Sequence, residues 1–571
     1  MRGVKRSLPT RNIAIHLRGC SVWIRILLRT IVAALLAVTL QPLYAGQLIL
    51  QNVGNQPVVC TVDGFTIQSG ALQETQFTVQ PNSSIYVMPN IARGEQVINW
   101  VNCGQLLARP LAVTPGSANQ TLFLNSQQTR VLNVSLYSYL PVLAPTNLET
   151  LATYVQQSYQ SQNPQVLLNV AMDGSGEGPI NIYKFDNLPG YLGASGFDVM
   201  ELDMMYLGFL VNAGLINQQQ LPANAPISVA VNASSINNVL YAIPSWLCMD
   251  FIYSDNPAIQ QVTSLTALQA FLAPTPNTQT QLVADYTGKW RLPSIYLNAY
   301  VQTYNNIQNA FNMPPDRNVI ANLVALAGTC VIGGSNLCID GTYHGASAGT
   351  TEQVFSHAAS AADVGFSEQS FYTRLAGTTN SLYVAPMPWG PNPQPLLFAD
   401  SFVTNSTTCQ PTSQCGIDAA NLITLMTSVQ MKTYITTSQD YPKGTPWRTL
   451  LVPYASFYSQ QDIANNSLYQ QYQQVFQTAQ PFPNTWTAAQ QASMGAQICA
   501  ALQASLPNYS CNPGQANVAA AAKAKSSGPI VLKQATPAKR RALTPGIKKK
   551  PAVRQPVPTP MLVPRSLHER R

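Results

Sequence analysis

Val131-Leu-Asn-Val-Ser-Leu-Tyr137 reads as a strand, Leu148-Glu-Thr-Leu-Ala-Thr-Tyr-Val-Gln-Gln-Ser-Tyr-Gln-Ser161 as a helix, and Val166-Leu-Leu-Asn-Val170 as a second strand. Short apolar runs on either side of a longer helical stretch mark an α/β unit. The alternation continues with a helix around Met204–Ala213 and a strand at Ile227-Ser-Val-Ala-Val231. Beyond about Gly416 helices dominate, at Ile417–Thr433, Gln461–Thr478 and Ala488–Gln503. Upstream the texture differs. Residues 46–127 alternate short apolar runs (Leu48-Ile-Leu50, Val58-Val59, Phe77-Thr-Val79, Ile85-Tyr-Val87, Val97-Ile-Asn-Trp100, Leu122-Phe-Leu124) with turn clusters, the spacing of a small all-β module.

Charge divides the chain in the same way. Of 31 Lys/Arg and 23 Asp/Glu, residues 1–45 hold seven basic and no acidic, and residues 513–571 hold thirteen basic and one acidic. That leaves 11 basic and 22 acidic for residues 46–512, so a chain of formal charge +8 has a body near −11. Such a body is unsuited to binding nucleic acid, which needs Lys/Arg on the folded surface. The N-terminus reads as an export signal: Arg18, Arg25 and Arg29 precede the apolar run Ile31–Leu40, and Ala45 offers a small residue for cleavage. The run of ten residues is short of the roughly 20 that span a bilayer, so no transmembrane domain is expected after signal removal. The tail from Pro513, rich in Ala, Pro, Lys and Arg, has too few large apolar residues for a core and is expected to be disordered.

The ten cysteines agree with an oxidising compartment. Cys20 leaves with the signal, and proximity pairs Cys60 with Cys103, Cys330 with Cys338, Cys409 with Cys415 and Cys499 with Cys511. Cys248 is left over, as either a reactive thiol or an inert buried one. Other chemistry is weakly signalled. The body's two histidines, His344 and His357, have no metal-ligand spacing, so no metal is expected. Gly174-Ser-Gly-Glu-Gly178 misses the dinucleotide pattern. Gly345-Ala-Ser-Ala-Gly349 matches a serine-nucleophile elbow formally, but a loop rather than a strand precedes it.

Cys248 stands in Tyr241-Ala-Ile-Pro-Ser-Trp-Leu-Cys-Met-Asp-Phe-Ile-Tyr253, which resembles the nucleophile segment of the thiaminase I (thiamine pyridinylase) family. Phe197–Gly208 resembles that family's Asp-Val-x-Glu-x-Asp stretch, Gly288–Asn298 its second-lobe motif, and Gly365-Phe-Ser-Glu368 its Gly-Tyr-Ser-Glu. Leu396-Leu-Phe-Ala-Asp-Ser-Phe402 resembles the segment that gives an aspartate to the ligand, and Val131–Pro141 the first strand. The similarity runs from about 130 to 420, in order.

The resemblance implies a two-lobed α/β fold like the periplasmic solute-binding proteins, with the ligand in the cleft between lobes. The organisation expected is a signal peptide at 1–45, a β-rich accessory module at 46–127, the two-lobed domain at 128–512 and the disordered basic tail at 513–571. The resemblance also implies base exchange on thiamine without a cofactor. The Cys248 thiolate adds to the electron-poor pyrimidine, the thiazole departs from the methylene, and pyridine, an aromatic amine or a thiol replaces it. Glu368 then corresponds to the general base, and Asp400 to the aspartate that hydrogen-bonds the aminopyrimidine. Asp198 is a second candidate for that contact, ahead of Asp203. Tyr137 and Tyr139 would line the cleft. Phe366 and Phe398 stand where the family carries tyrosine, which bears on ligand orientation and selectivity. The expected protein is an exported, periplasmic or secreted monomer. Two other readings stay open: a non-catalytic solute-binding protein for thiamine or a related pyrimidine, and a secreted interaction protein using its β module.

Overall fold

The computed structural model describes residues 47–66, 72–87, 96–109, 119–136, 140, 147–172, 196–273, 281–288, 291–332, 335–341, 361–365, 382–392 and 394–511. The expected signal, the tail, both histidines and the two glycine-rich stretches lie outside them.

Seven strands build the N-terminal region: β1 (Leu48–Asn52), β2 (Val58–Thr66), β3 (Leu72–Val79), β4 (Ser83–Val87), β5 (Gln96–Cys103), β6 (Leu106–Ala108) and β7 (Gln120–Leu124). They form two sheets, ordered β4-β1-β7 and β3-β2-β5-β6. Leu48 and Leu50 point one way from β1, as a strand's two-residue period requires, and join Val62, Val79, Val101 and Leu122 in a core. Cys60 and Cys103 face each other in register across β2 and β5 and are bonded. The other three expected disulfides are formed as well.

The core of the N-terminal region also takes in Leu167, from a strand of the next sheet. There β8 (Arg130–Ser135) and β9 (Val166–Ala171) run parallel, joined through the helix Asn147–Gln162. Leu148, Leu151, Val155 and Tyr159 are spaced three and four apart, so they fall on one helix face and are buried. Gln156, on the same helix, donates to the carbonyls of Thr121 (2.7 Å) on β7 and Leu168 (2.9 Å) on β9. Gln120 of β7 donates to Asn169 Oδ1 at 2.7 Å, and Asn169 donates to Asn133 Oδ1 at 2.9 Å.

The large sheet continues with β10 (Val199–Asp203), parallel to β8. A short hairpin, β11 (Ser235–Ile236) and β12 (Val239–Leu240), turns on Asn237 and Asn238, both at positive φ, the backbone that tight hairpin turns need. The long strand β13 (Ile243–Ser254) follows, then β14 (Leu282–Val283), the hairpin β15 (Val331–Ile332) and β16 (Ser335–Asn336), β17 (Ala361–Gly365), β18 (Tyr383–Pro386), β19 (Leu396–Thr404) and β20 (Gln480–Pro481). The sheet's order is β14-β17-β13-β19-β10-β8-β9, with β18 on β13 and β20 on β19.

β13 has two sets of partners. From Ile243 to Met249 it pairs with β19, and from Asp250 to Ser254 with β17 and β18. All twelve of its residues are buried, which explains its near-continuous apolar sequence. Pro244 cannot donate to a ladder, and the register shifts beside it, between Pro244 and Trp246, with Ser245 as the extra residue of a bulge.

Some expectations differ in detail. Ile227-Ser-Val-Ala-Val231 is not a strand: Ile227 precedes the helix Ser228–Ala233. The buried residues Val229, Ala230 and Ala233 have helical spacing, which a five-residue apolar run could not distinguish from a strand. The expected helix Ile417–Thr433 is two helices, Gln414–Met426 and Val429–Thr436, because Ser428 caps the second through Met431 N. Gln461–Thr478 is likewise divided, with Asn466 capping Ser467–Phe476. The last helix, Ala488–Ser505, starts on a capping box made by Thr487 and Gln490.

Candidate active site

Strand parity assembles the site. On β13 the side chains of Trp246, Cys248 and Asp250 leave the same face, as do Phe398, Asp400 and Phe402 on β19, and Glu201 and Asp203 on β10. The register sets Cys248 opposite Phe398, Trp246 and Asp203 opposite Asp400, and Glu201 opposite Phe402. Cys248 and Asp400 are thus diagonal neighbours on adjacent strands. The thiol lies 3.7 Å from Asp400 Oδ2 and donates to it. Both side chains are buried, at 6 % and 5 % exposure, as are Glu201 and Asp203. Cys248 stays outside the four disulfides.

Phe398 stacks on Phe482 with ring centroids 3.9 Å apart. A small cavity lined by Asp203, Met205, Phe398, Ala399 and Phe482 adjoins this pair. Asp203 accepts from Met205 N at 2.8 Å and caps a short 3-10 turn.

The structure separates Asp198 from this group. Asp198 stands five residues before Asp203, about 16 Å away along the strand. It accepts from Asn133 N at 2.9 Å and lies beside the Cys409–Cys415 disulfide. Burial pushes its carboxyl up, while the Asn133 hydrogen bond acts the other way. Asp203, ranked behind it on sequence, is the member of that motif that faces Asp400. Tyr137, Tyr139, Phe366 and Glu368 lie outside the described residues.

Two buried charges escaped the sequence reading. Asp250, next but one to Cys248, is paired with Arg291 and accepts from Asn298 Nδ2 at 3.2 Å. Asn298 Oδ1 also accepts from Leu396 N at 3.0 Å, so it ties β13 to the start of β19. Arg291 and Asn298 both come from the 288–298 motif, whose charged and amide residues were the available signal. The second charge is Lys432, on the helix Val429–Thr436, fully buried. Its ammonium donates to Ser245 Oγ at 2.8 Å and lies 3.6 Å from the centroid of the Trp246 ring and 5.9 Å from that of Phe402. Burial pulls its pKa down from 10.5 to about 7, and the carboxylates of Glu201 and Asp400 pull it back up. A lone lysine in a long helical stretch gave no signal.

No protein-family model and no curated protein matches the chain. Solved structures do. The structure of thiaminase I from Bacillus thiaminolyticus is 19 % identical, with 65 % of this chain and 99 % of that one covered at a TM-score of 0.51. Clostridium botulinum thiaminase I in complex with thiamin is 18 % identical, with 65 % and 100 % covered at 0.53. The chain has the thiaminase I fold. The GacH receptor of Streptomyces glaucescens, whose structure was determined unliganded and with acarbose, overlaps at 16 % identity over 69 % of this chain and 97 % of its own, with a TM-score of 0.46. The fold is of the two-lobed periplasmic-binding-protein type. Among the described residues no helix is long and apolar enough to cross a membrane.

Proposed function

We propose that this protein is an exported thiaminase-I-like transferase that cleaves thiamine by base exchange. The observation that carries the proposal is the Cys248 thiol 3.7 Å from the Asp400 carboxylate, both buried on adjacent strands of the large sheet. A solute carrier has no need of a thiol there.

The chemistry divides one difficult displacement into two easier ones. The thiolate of Cys248 adds to the pyrimidine ring of thiamine. The methylene then expels the thiazole with its bonding electrons, which neutralises the thiazolium. An amine or thiol co-substrate adds at the methylene, the Cys248–pyrimidine bond breaks with its electron pair on sulfur, and the thiolate is regenerated; a co-substrate that carries a proton gives it up to Glu368. Asp400 holds the aminopyrimidine and Glu368 moves the proton. The carboxylates Glu201, Asp203 and Asp400 on one sheet face favour a cationic ligand such as thiamine. The Clostridium botulinum structure of this fold contains thiamin. The β-rich module at 46–127, the two-lobed domain at 128–512 and the tail at 513–571 complete the proposed organisation.

The test is to incubate the full mature chain with thiamine and pyridine or aniline and to follow thiamine and the exchange product by mass spectrometry. Exchange that disappears in Cys248→Ser is the expected result. Tight binding with no thiamine loss selects the non-catalytic carrier and retires the transferase.

A further inference from the structure

Lys432 is a fully buried cation at the bulge of the strand that carries Cys248. Burying an ammonium is costly unless something compensates it. Here the compensation is specific: Ser245 Oγ accepts at 2.8 Å and the Trp246 face lies at 3.6 Å. The bulge turns Ser245, the extra residue, toward the helix. The carboxylates that act on Lys432 are Glu201 on β10 and Asp400 on β19; Asp203 of β10 and Cys248 of β13 leave the same sheet face, and the hydroxyl of Tyr454 is pushed up by burial and by Glu201. Arg448 and Asp440, a buried ion pair, bond to one another at 2.5 and 2.6 Å.

A thiolate formed beside Asp400 adds a further negative charge to a buried group of carboxylates, Glu201, Asp203 and Asp400. Like charges in a low-dielectric site oppose ionisation, and a nearby cation favours it. We propose that Lys432 is a positioning residue of this site, its ammonium fixed by Ser245 and Trp246 so as to offset Glu201 and Asp400 and let the Cys248 thiolate form. The proposal rests on the reading of Cys248 as nucleophile. The lysine and thiol protons are then linked, and the pair titrates together.

The thiolate is read by its ultraviolet absorbance across a pH series, as the difference between the full chain and its Cys248→Ser variant. Lys432→Met raises the thiolate midpoint by about one pH unit or more, a roughly tenfold loss of thiolate near neutrality. Adding Glu201→Gln to Lys432→Met removes the charge that the lysine offset and returns the midpoint to within about half a unit of wild type. An unmoved midpoint in the single variant, or a double variant that stays shifted, overturns the proposal. If Lys432→Met does not fold, Glu201→Gln alone decides: it lowers the midpoint, and a midpoint unmoved or raised overturns the proposal. Thiamine exchange is followed in parallel. A Lys432-dependent thiolate without exchange retires the transferase and keeps this inference, whereas exchange with a Lys432-independent thiolate does the reverse.

Discussion

Cys248 and Asp400 meet because each stands at an outward position on its own strand, two registers apart. The consequence for Asp400→Asn is specific. The side chain keeps its shape but loses the charge that would strengthen the proposed hydrogen bond to the aminopyrimidine, at a cost of about 1.5–3 kcal/mol. We expect KM for thiamine to rise about tenfold to a hundredfold in steady-state exchange assays. Lys432 predicts a pH effect on stability. It binds its proton less tightly folded than unfolded, with a pKa near 7 against 10.5. Below about 7 both states are protonated and the folded state carries the full penalty. Between about 7 and 10 the unfolded state holds more protons, so stability rises with pH there. The difference between wild type and Lys432→Met in urea-unfolding free energy should change across that window in favour of wild type as pH increases. A difference independent of pH would contradict the lowered pKa.

Among the elements, β13 carries the argument. Its sequence, Ile243-Pro-Ser-Trp-Leu-Cys-Met-Asp-Phe-Ile-Tyr-Ser254, was legible as an apolar stretch with a singular cysteine, and the family resemblance marked that cysteine. Its passage between two sets of partners was not legible. Pairing with β17, β18 and β19 spans more than a hundred residues of sequence, and no local pattern reports partners so distant. Asp250 marks the changeover. Arg291→Met would leave that buried carboxylate with Asn298 but without its cation, and removing one partner of a buried pair costs about 3–5 kcal/mol. Chemical denaturation should show the loss, and Arg291→Lys, which keeps the charge, should recover part of it.

At the scale of the whole chain, the N-terminal strands are not merely appended. They share Leu167 with the large sheet, and Gln156 and Gln120 carry hydrogen bonds between the two. A chain cut to 128–512 exposes that apolar surface and leaves the Gln120–Asn169 contact unmade. We expect it to melt at lower temperature than the 46–512 chain, or to aggregate, in parallel thermal scans; equal melting would show the strands to be independent. The composition was legible at this scale, with basic ends and a body near −11. So, from proximity, were the disulfides at Cys330–Cys338, Cys409–Cys415 and Cys499–Cys511, with separations of 8, 6 and 12, whereas Cys60 and Cys103, 43 apart, are brought together by the β2–β5 register.

By itself the sequence determined the α/β class and the β-rich N-terminal region, and proximity suggested disulfide partners that leave Cys248 over. These follow from composition, two- and four-residue periodicity and short separations. The tertiary structure alone decided that Asp203 rather than Asp198 faces Asp400, that Asp250 is held by Arg291 and Asn298, and that Lys432 lies against Trp246. Register at sheet pairs and burial of a charge against a distant strand depend on contacts that close loops of tens to hundreds of residues, which neighbouring residues in the chain do not encode.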